Sequence, residues 1–187
     1  MRTRGLGPVG LLERWGWATW YRTLAWYSRR TGAQFTCMNW GYEDGLTHVP
    51  PAHQEERYAK QLYERLVRGV ELRGRTLVEV SSGRGGGLAY LHERHQPASA
   101  TGIDFVPAHV QLSSRAFARA GLVFRVGDAA ATGLPAGSTD VVINVEASHC
   151  YPDFPAFLAE VHRVLVPAGL FAFADFRPAE KLAGVRS

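Results

Sequence analysis

From Thr76 onward the chain alternates short apolar runs with helical stretches, the repeating pattern of a parallel sheet with crossover helices. The runs Thr76–Val80, Ala100–Asp104, Leu122–Val126, Asp140–Asn144 and Leu170–Asp175 predict five strands. Stretches near 86–95, 107–119 and 154–165 read as helices, and the spacing predicts right-handed crossovers with helices on both faces. Pro167-Ala-Gly169 is a turn signal ahead of the fifth strand. Upstream, 53–70 reads as a packing helix, with Tyr58, Leu62, Leu66 and Val70 at four-residue steps and Arg57, Lys60 and Arg65 on other faces. Earlier still, 11–27 is roughly amphipathic and carries Trp15, Trp17, Trp20, Tyr21, Trp26 and Tyr27. Two parts are expected: an N-terminal helical aromatic cap over 1–74 and a doubly wound α/β core over 75–187.

Composition narrows the partners. A chain of 187 residues, 46% hydrophobic and 20% charged, suffices for a full core. Basic residues are 19 Arg and only Lys60 and Lys181, for a net charge of +4. The Arg residues are scattered and alternate with Glu, so no nucleic-acid partner is expected. Cys37 and Cys150 form no CxxC pair, which argues against a disulfide scaffold or a metal site and fits a reducing cytoplasm. Glu13, Arg14 and Arg22 interrupt the N-terminal apolar stretch, and nothing approaches the ~18 consecutive apolar residues of a membrane span. The Trp and Arg residues there leave peripheral contact with a membrane surface open.

The sharpest local feature is Val78-Glu-Val-Ser-Ser-Gly-Arg-Gly-Gly-Gly87, directly between a strand and a helix. Glycines allow close backbone approach, and a helix N-terminus offers N–H groups; the competing reading is a tight turn. The loop is not GxGxxG and has no following Lys, so neither a dinucleotide fingerprint nor a phosphate loop fits. Glu79 just before it would repel a pyrophosphate but suits a sulfonium zwitterion with a free amino group. Asp104 ends the second strand, where a carboxylate can accept from ribose hydroxyls, unless it is only a cap or turn residue. After the third strand, Asp128 in Gly127-Asp128-Ala129 can reach an adenine amino group.

With these residues in place, Glu79-Val-Ser-Ser-Gly-Arg-Gly85 resembles the first motif, E-x-G-x-G-x-G, of class I S-adenosylmethionine-dependent methyltransferases. Leu134-Pro135 with Ser138-Thr-Asp140-Val141-Val142, and Val161-His-Arg-Val-Leu-Val-Pro-Ala-Gly169, resemble later stretches of that family. The resemblance covers about 75–178 and implies a Rossmann-like fold with S-adenosylmethionine as cofactor. It implies cofactor contacts from Glu79, Ser81, Gly83, Gly85, Asp104, Phe105, Asp128, Ala129 and Asn144. Two positions depart from the pattern: Ser81 stands for the first motif glycine and Ala168 for a glycine of the PGG turn.

The fourth strand runs into Asn144-Val-Glu-Ala-Ser-His-Cys-Tyr-Pro152, beyond the carboxyl end of the sheet where ligands bind. This run resembles the signature of phthiotriol and phenolphthiotriol dimycocerosate methyltransferases and of glycopeptidolipid-type O-methyltransferases, and is similar to a stretch in sugar O-methyltransferases. Methyl transfer to a hydroxyl needs alignment and a base, and His is the natural base near neutral pH. His149 is therefore the candidate base and Asp175 its partner, although backbone bonding by His149 and a turn role for Asp175 are alternatives. Glu146 faces either cofactor or substrate, while Ser148 and Cys150 read as packing or positioning residues. A His149–Cys150 nucleophilic pair is disfavoured, because adjacent side chains generally diverge.

The stretch Phe35-Thr-Cys-Met-Asn-Trp-Gly-Tyr-Glu-Asp-Gly45 is similar to one in the same lipid methyltransferases and implies a lid, with Trp40 and Tyr42 lining the acceptor pocket; a packing role is the alternative. The family's sheet ends in a β-hairpin for which 176–187 is too short, so the C-terminal hairpin is expected to be missing. The fifth strand would then be an apolar edge carrying Leu170, Phe171 and Phe173, open to pairing in a homodimer. The overall reading is O-methylation of a lipid, glycolipid or sugar-bearing natural product in the cytoplasm or at a membrane. The rivals are a truncated S-adenosylmethionine-binding protein without catalysis, and a C- or N-methyltransferase.

Overall fold

The computed structural model describes Thr23 and residues 35–177; the aromatic residues of 11–27 and the C-terminal stretch 178–187 lie outside the described residues. Five parallel strands form one sheet in the order β3-β2-β1-β4-β5. They are β1 (Thr76–Val80), β2 (Ser99–Asp104), β3 (Leu122–Val126), β4 (Thr139–Val145) and β5 (Leu165–Ala174). The helices are α1 (Arg57–Leu66), α2 (Gly86–His95), α3 (Pro107–Phe117) and α4 (Phe154–Val164). This is the α/β Rossmann-like architecture expected from the alternating pattern, and the strand order reverses between β1 and β4, the place where sheets of this kind bind ligands.

A sheet covered on both faces must bury both sides of its central strands. In β1, Leu77 packs with α1 and α2, while Val78 and Val80 pack with Phe157, Val161 and Val164 of α4. Glu79 alternates with Val78 and Val80, so its side chain points to the α1 face, where the Tyr63 hydroxyl donates to Oε1 at 2.7 Å. Helix α1, assigned to the cap by sequence, thus supplies Leu62 and Tyr63 to the core shared with β1 and α2. It is shorter than the 53–70 stretch: a 3-10 turn (Pro51–His53) precedes it, and Glu56 at φ 54 separates the two.

The fifth strand differs most from expectation. Pairing with β4 begins at Leu165, and the register shifts between Thr139 and Val141, so Pro167–Gly169 forms a bulge within the strand rather than a turn before it. Ala168 sits there at φ 63. A residue with a Cβ pays about 1–2 kcal/mol in that conformation, which explains why relatives are expected to place glycine here. Ala168→Gly should raise stability by about 0.5–1 kcal/mol after glycine's extra chain entropy is subtracted. A urea midpoint that does not rise would show that the bulge is relaxed with alanine.

Candidate active site

Three strand ends meet at the glycine-rich loop. Asp104, 6% exposed, closes β2 and receives the Gly83 N–H on Oδ2 at 2.8 Å and the Val106 N–H on Oδ1 at 2.9 Å. His109 approaches Oδ1 at 3.3 Å from α3. The carboxylate thereby ties the loop to the next strand end. Phe105 follows with 43% of its surface exposed. Asp128, beyond β3, accepts the Ala130 N–H at 3.0 Å, which fixes the turn through Ala129.

The loop's glycines answer mainly to the chain itself. A Cβ on Gly87 would lie 1.8 Å from the Tyr63 ring, and one on Gly85 2.6 Å from Phe124. Gly83 and Gly85 also hold positive φ, as does Ser81 at φ 59. Serine tolerates the motif-glycine position because its hydroxyl meets the Tyr151 hydroxyl at 2.5 Å. Tyr151 accepts from Asn144 Nδ2 at 2.8 Å, and the same nitrogen donates to the Val80 carbonyl at 2.8 Å. Asn144 is fully buried, so its side chain braces the ends of β1 and β4 from below.

Glu79 lies under the loop at 1% exposure. Burial, opposed by the Tyr63 hydrogen bond and reinforced by the Asp104 charge, pushes its carboxyl up to about 8. Its Oε2 is buried with no hydrogen-bond partner among the described residues.

Over this floor runs a strap, 35–42. The Thr36 carbonyl accepts the Gly86 N–H at 3.1 Å, taking one of the N–H groups that begin α2. A Cβ on Gly83 would meet Met38 Sδ at 2.9 Å. Arg84 reaches back to the Phe35 carbonyl at 3.0 Å, with its guanidinium carbon 4.0 Å from the Phe35 ring centre. Glu56 anchors the strap, accepting the Thr36 and Cys37 N–H groups at 2.7 and 2.9 Å and the Thr36 hydroxyl at 2.5 Å. At the far end the Trp40 N–H donates to Glu146 Oε2 at 2.8 Å. The Trp40 side chain projects outward, 86% of the residue being exposed. Tyr42 packs against the core beside α1, and its hydroxyl reaches Asp44 at 3.3 Å.

The chemistry-bearing cluster follows β4. Glu146 takes φ 47, and Ser148–Cys150 form a single 3-10 turn. That turn aims His149 at Asp175, just past β5: Nδ1 lies 2.7 Å from Oδ1, and the Asp175 side chain is only 2% exposed. Ser148 donates its hydroxyl to Asp175 Oδ2, and the Phe176 N–H donates to Oδ1 at 2.9 Å. The Phe176 ring lies against the imidazole at 4.4 Å between centroids. Hydrogen bonds with Asp175 and with Cys150, against the cost of burial, push the imidazole up to about 9. Burial works against the Asp175 charge, yet hydrogen bonds from His149 and Ser148 hold the carboxyl below its usual range. Burial raises the Glu146 carboxyl, with the Trp40 N–H opposing and the Asp175 charge reinforcing.

Sequence reasoning missed Tyr63, Glu56 and Arg177. Tyr63 and Glu56 act across distances of sixteen to twenty residues with no motif to mark them. Among the described residues no group of three His, Cys, Asp or Glu could hold a metal, and no helix is long and apolar enough to cross a membrane.

Comparison with known proteins places this arrangement. A family profile described as "Methyltransferase domain" matches residues 78–173. The phthiotriol/phenolphthiotriol dimycocerosates methyltransferase of Mycobacterium leprae is 42% identical over 170 residues, covering 89% of this chain and 62% of that protein. The fatty-acid O-methyltransferase of Mycolicibacterium smegmatis is 40% identical over 144 residues, covering 75% of this chain and 53% of that protein. Among solved structures, the geranyl diphosphate C-methyltransferase of Streptomyces coelicolor, crystallised with S-adenosyl-L-homocysteine, shares the fold. Its TM-score is 0.57 at 22% identity, over 81% of this chain and 62% of that one. The chain thus spans about 62% of the length of the first of these relatives. With the profile covering the glycine loop, the carboxyl ends of β1 to β4, the His149 turn and β5 up to Phe173, the chain belongs to the methyltransferase-domain family.

Proposed function

We propose that this chain binds S-adenosylmethionine and transfers its methyl group to a hydroxyl of a lipid or glycolipid. The observation that carries the proposal is the His149–Asp175 pair, 2.7 Å apart at the carboxyl ends of β4 and β5. The site residues suit the cofactor. Asp104 offers carboxylate oxygens to a ribose, and exposed Phe105 an apolar face to an adenine, with Asp128 and Ala129 at its edge. The buried Glu79 oxygen without a partner marks an unmet acceptor under the loop, suited to an amino group. Gly83, Gly85 and Ser81 shape the backbone there, and Asn144 braces it.

The bound cofactor supplies an electrophilic methyl carbon, so no further activation of the leaving group is needed. What remains is alignment and proton removal. Asp175 engages Nδ1 of His149 and orients the imidazole, which takes the acceptor's hydroxyl proton. Glu146 accepts the Trp40 N–H and fastens the strap to the site, while the Trp40 ring projects outward and Tyr42 packs beside α1, so a lid role falls to the strap's backbone rather than to these two rings.

A general base matters for a hydroxyl and not for a carboxylate, which is already ionised at neutral pH. The His149–Asp175 pair therefore favours a hydroxyl acceptor over a carboxylate. Incubation with labelled S-adenosylmethionine should methylate a long-chain acceptor bearing a hydroxyl. Label transferred only to a fatty-acid carboxylate, or to neither, would refute this choice of acceptor.

A further inference from the structure

Beyond the His149–Asp175 pair, the strand end carries a partly buried cation that the proposed reaction has not used. Arg177 is 14% exposed at its side chain and lies two residues past Asp175. Its Nη2 donates to Ser148 Oγ at 2.7 Å and stands 3.7 Å from Asp175 Oδ2. Its guanidinium carbon lies 4.7 Å from the Phe154 ring centre, which pins it to the start of α4. Nε is buried with no hydrogen-bond partner among the described residues. A guanidinium that leaves one donor unmet is held in place by its remaining contacts. Those contacts converge on Ser148, whose hydroxyl accepts from Arg177 and donates to Asp175.

We infer that Arg177 is a positioning residue of this site: through Ser148 it fixes the Asp175 carboxylate against His149, and its charge limits that carboxylate's hold on the imidazole proton. The inference deepens the proposed role of His149 and rests on that reading for its catalytic meaning. The electrostatics are explicit. Asp175 and Cys150 hold the imidazole proton and Glu146 adds its charge, while the Arg177 guanidinium stands 3.7 Å from Asp175 Oδ2, the carboxylate oxygen that does not face Nδ1. With Arg177 removed, Asp175 answers to His149 alone and holds the imidazolium more tightly. With Ser148 removed, Asp175 loses a donor and the guanidinium its link, which acts in the same direction.

The test is an NMR pH titration of His149, assigned by loss of its signal in His149→Gln, in the wild type, Arg177→Met, Arg177→Lys and Ser148→Ala. Arg177→Met should move the midpoint upward by half a unit or more, roughly threefold in proton affinity. Arg177→Lys should restore most of the midpoint but not the fork to Ser148, and Ser148→Ala should shift it upward. A purely structural Arg177 would lower thermal stability and leave all midpoints in place, which overturns the inference. If Arg177→Met does not fold, an unshifted midpoint in both Arg177→Lys and Ser148→Ala overturns it equally. Shifted midpoints in a chain that transfers no methyl group would support the network while refuting the proposed reaction.

Discussion

His149→Gln is expected to slow methyl transfer to a hydroxyl acceptor by about 10²–10⁴-fold, the range for loss of a general base, with cofactor affinity unchanged. Glutamine keeps most of the volume and a hydrogen bond to Asp175 but cannot take a proton. The pH dependence sharpens the test. The imidazole stands at about 9, so near pH 7 only a small neutral fraction can act as base. The rate should therefore rise as pH increases from 7 toward 9, with its midpoint drawn below 9 where a sulfonium cation lies nearby. The glutamine variant should lose this rise. Stability runs the other way. A histidine raised above its unfolded value of 6.5 adds stability that is complete below that pH and is lost as pH climbs through about 9. A variant as fast as wild type would remove His149 from the chemistry.

Asp104→Ala should weaken S-adenosylmethionine binding by about 10²-fold or more, because charged hydrogen bonds are worth about 1.5–3 kcal/mol each. Two effects combine. The ribose loses its acceptor, and the Gly83 and Val106 N–H groups lose theirs. The second effect also loosens the loop, so a modest fall in thermal stability accompanies the loss of affinity. Asp104→Asn retains an acceptor and should weaken binding less. Calorimetric titration checks both, and an unchanged dissociation constant in the alanine variant would show that Asp104 only braces the loop.

The periodic parts of this fold were legible in the sequence. Strands β1 and β3 fall where their apolar runs predict, and the glycine loop leads into α2 as its spacing requires. The His149 turn and Asp175 share no local pattern, yet each follows a strand whose carboxyl end faces the crevice, and that is enough to bring them together. The rest depended on contacts that sequence spacing does not encode. The direction of Glu79 followed from strand alternation, but its partner Tyr63 came from a helix read as part of a cap. The loop glycines looked like ligand space, whereas Tyr63, Phe124 and Thr36 fill the positions of the missing side chains. The strap's hold on the loop depends on Glu56, a residue in an otherwise ordinary charged stretch. Adjacent His149 and Cys150 side chains were expected to diverge, but the 3-10 turn draws them into hydrogen-bonding reach.

The most direct test is a calorimetric titration of the folded chain with S-adenosylmethionine, run beside Asp104→Ala. Saturable one-to-one binding by the wild type, weakened in the variant, is the predicted result. A folded wild-type chain that shows no heat of binding at millimolar ligand would contradict the assignment of this crevice to S-adenosylmethionine and, with it, the methyl transfer proposed here.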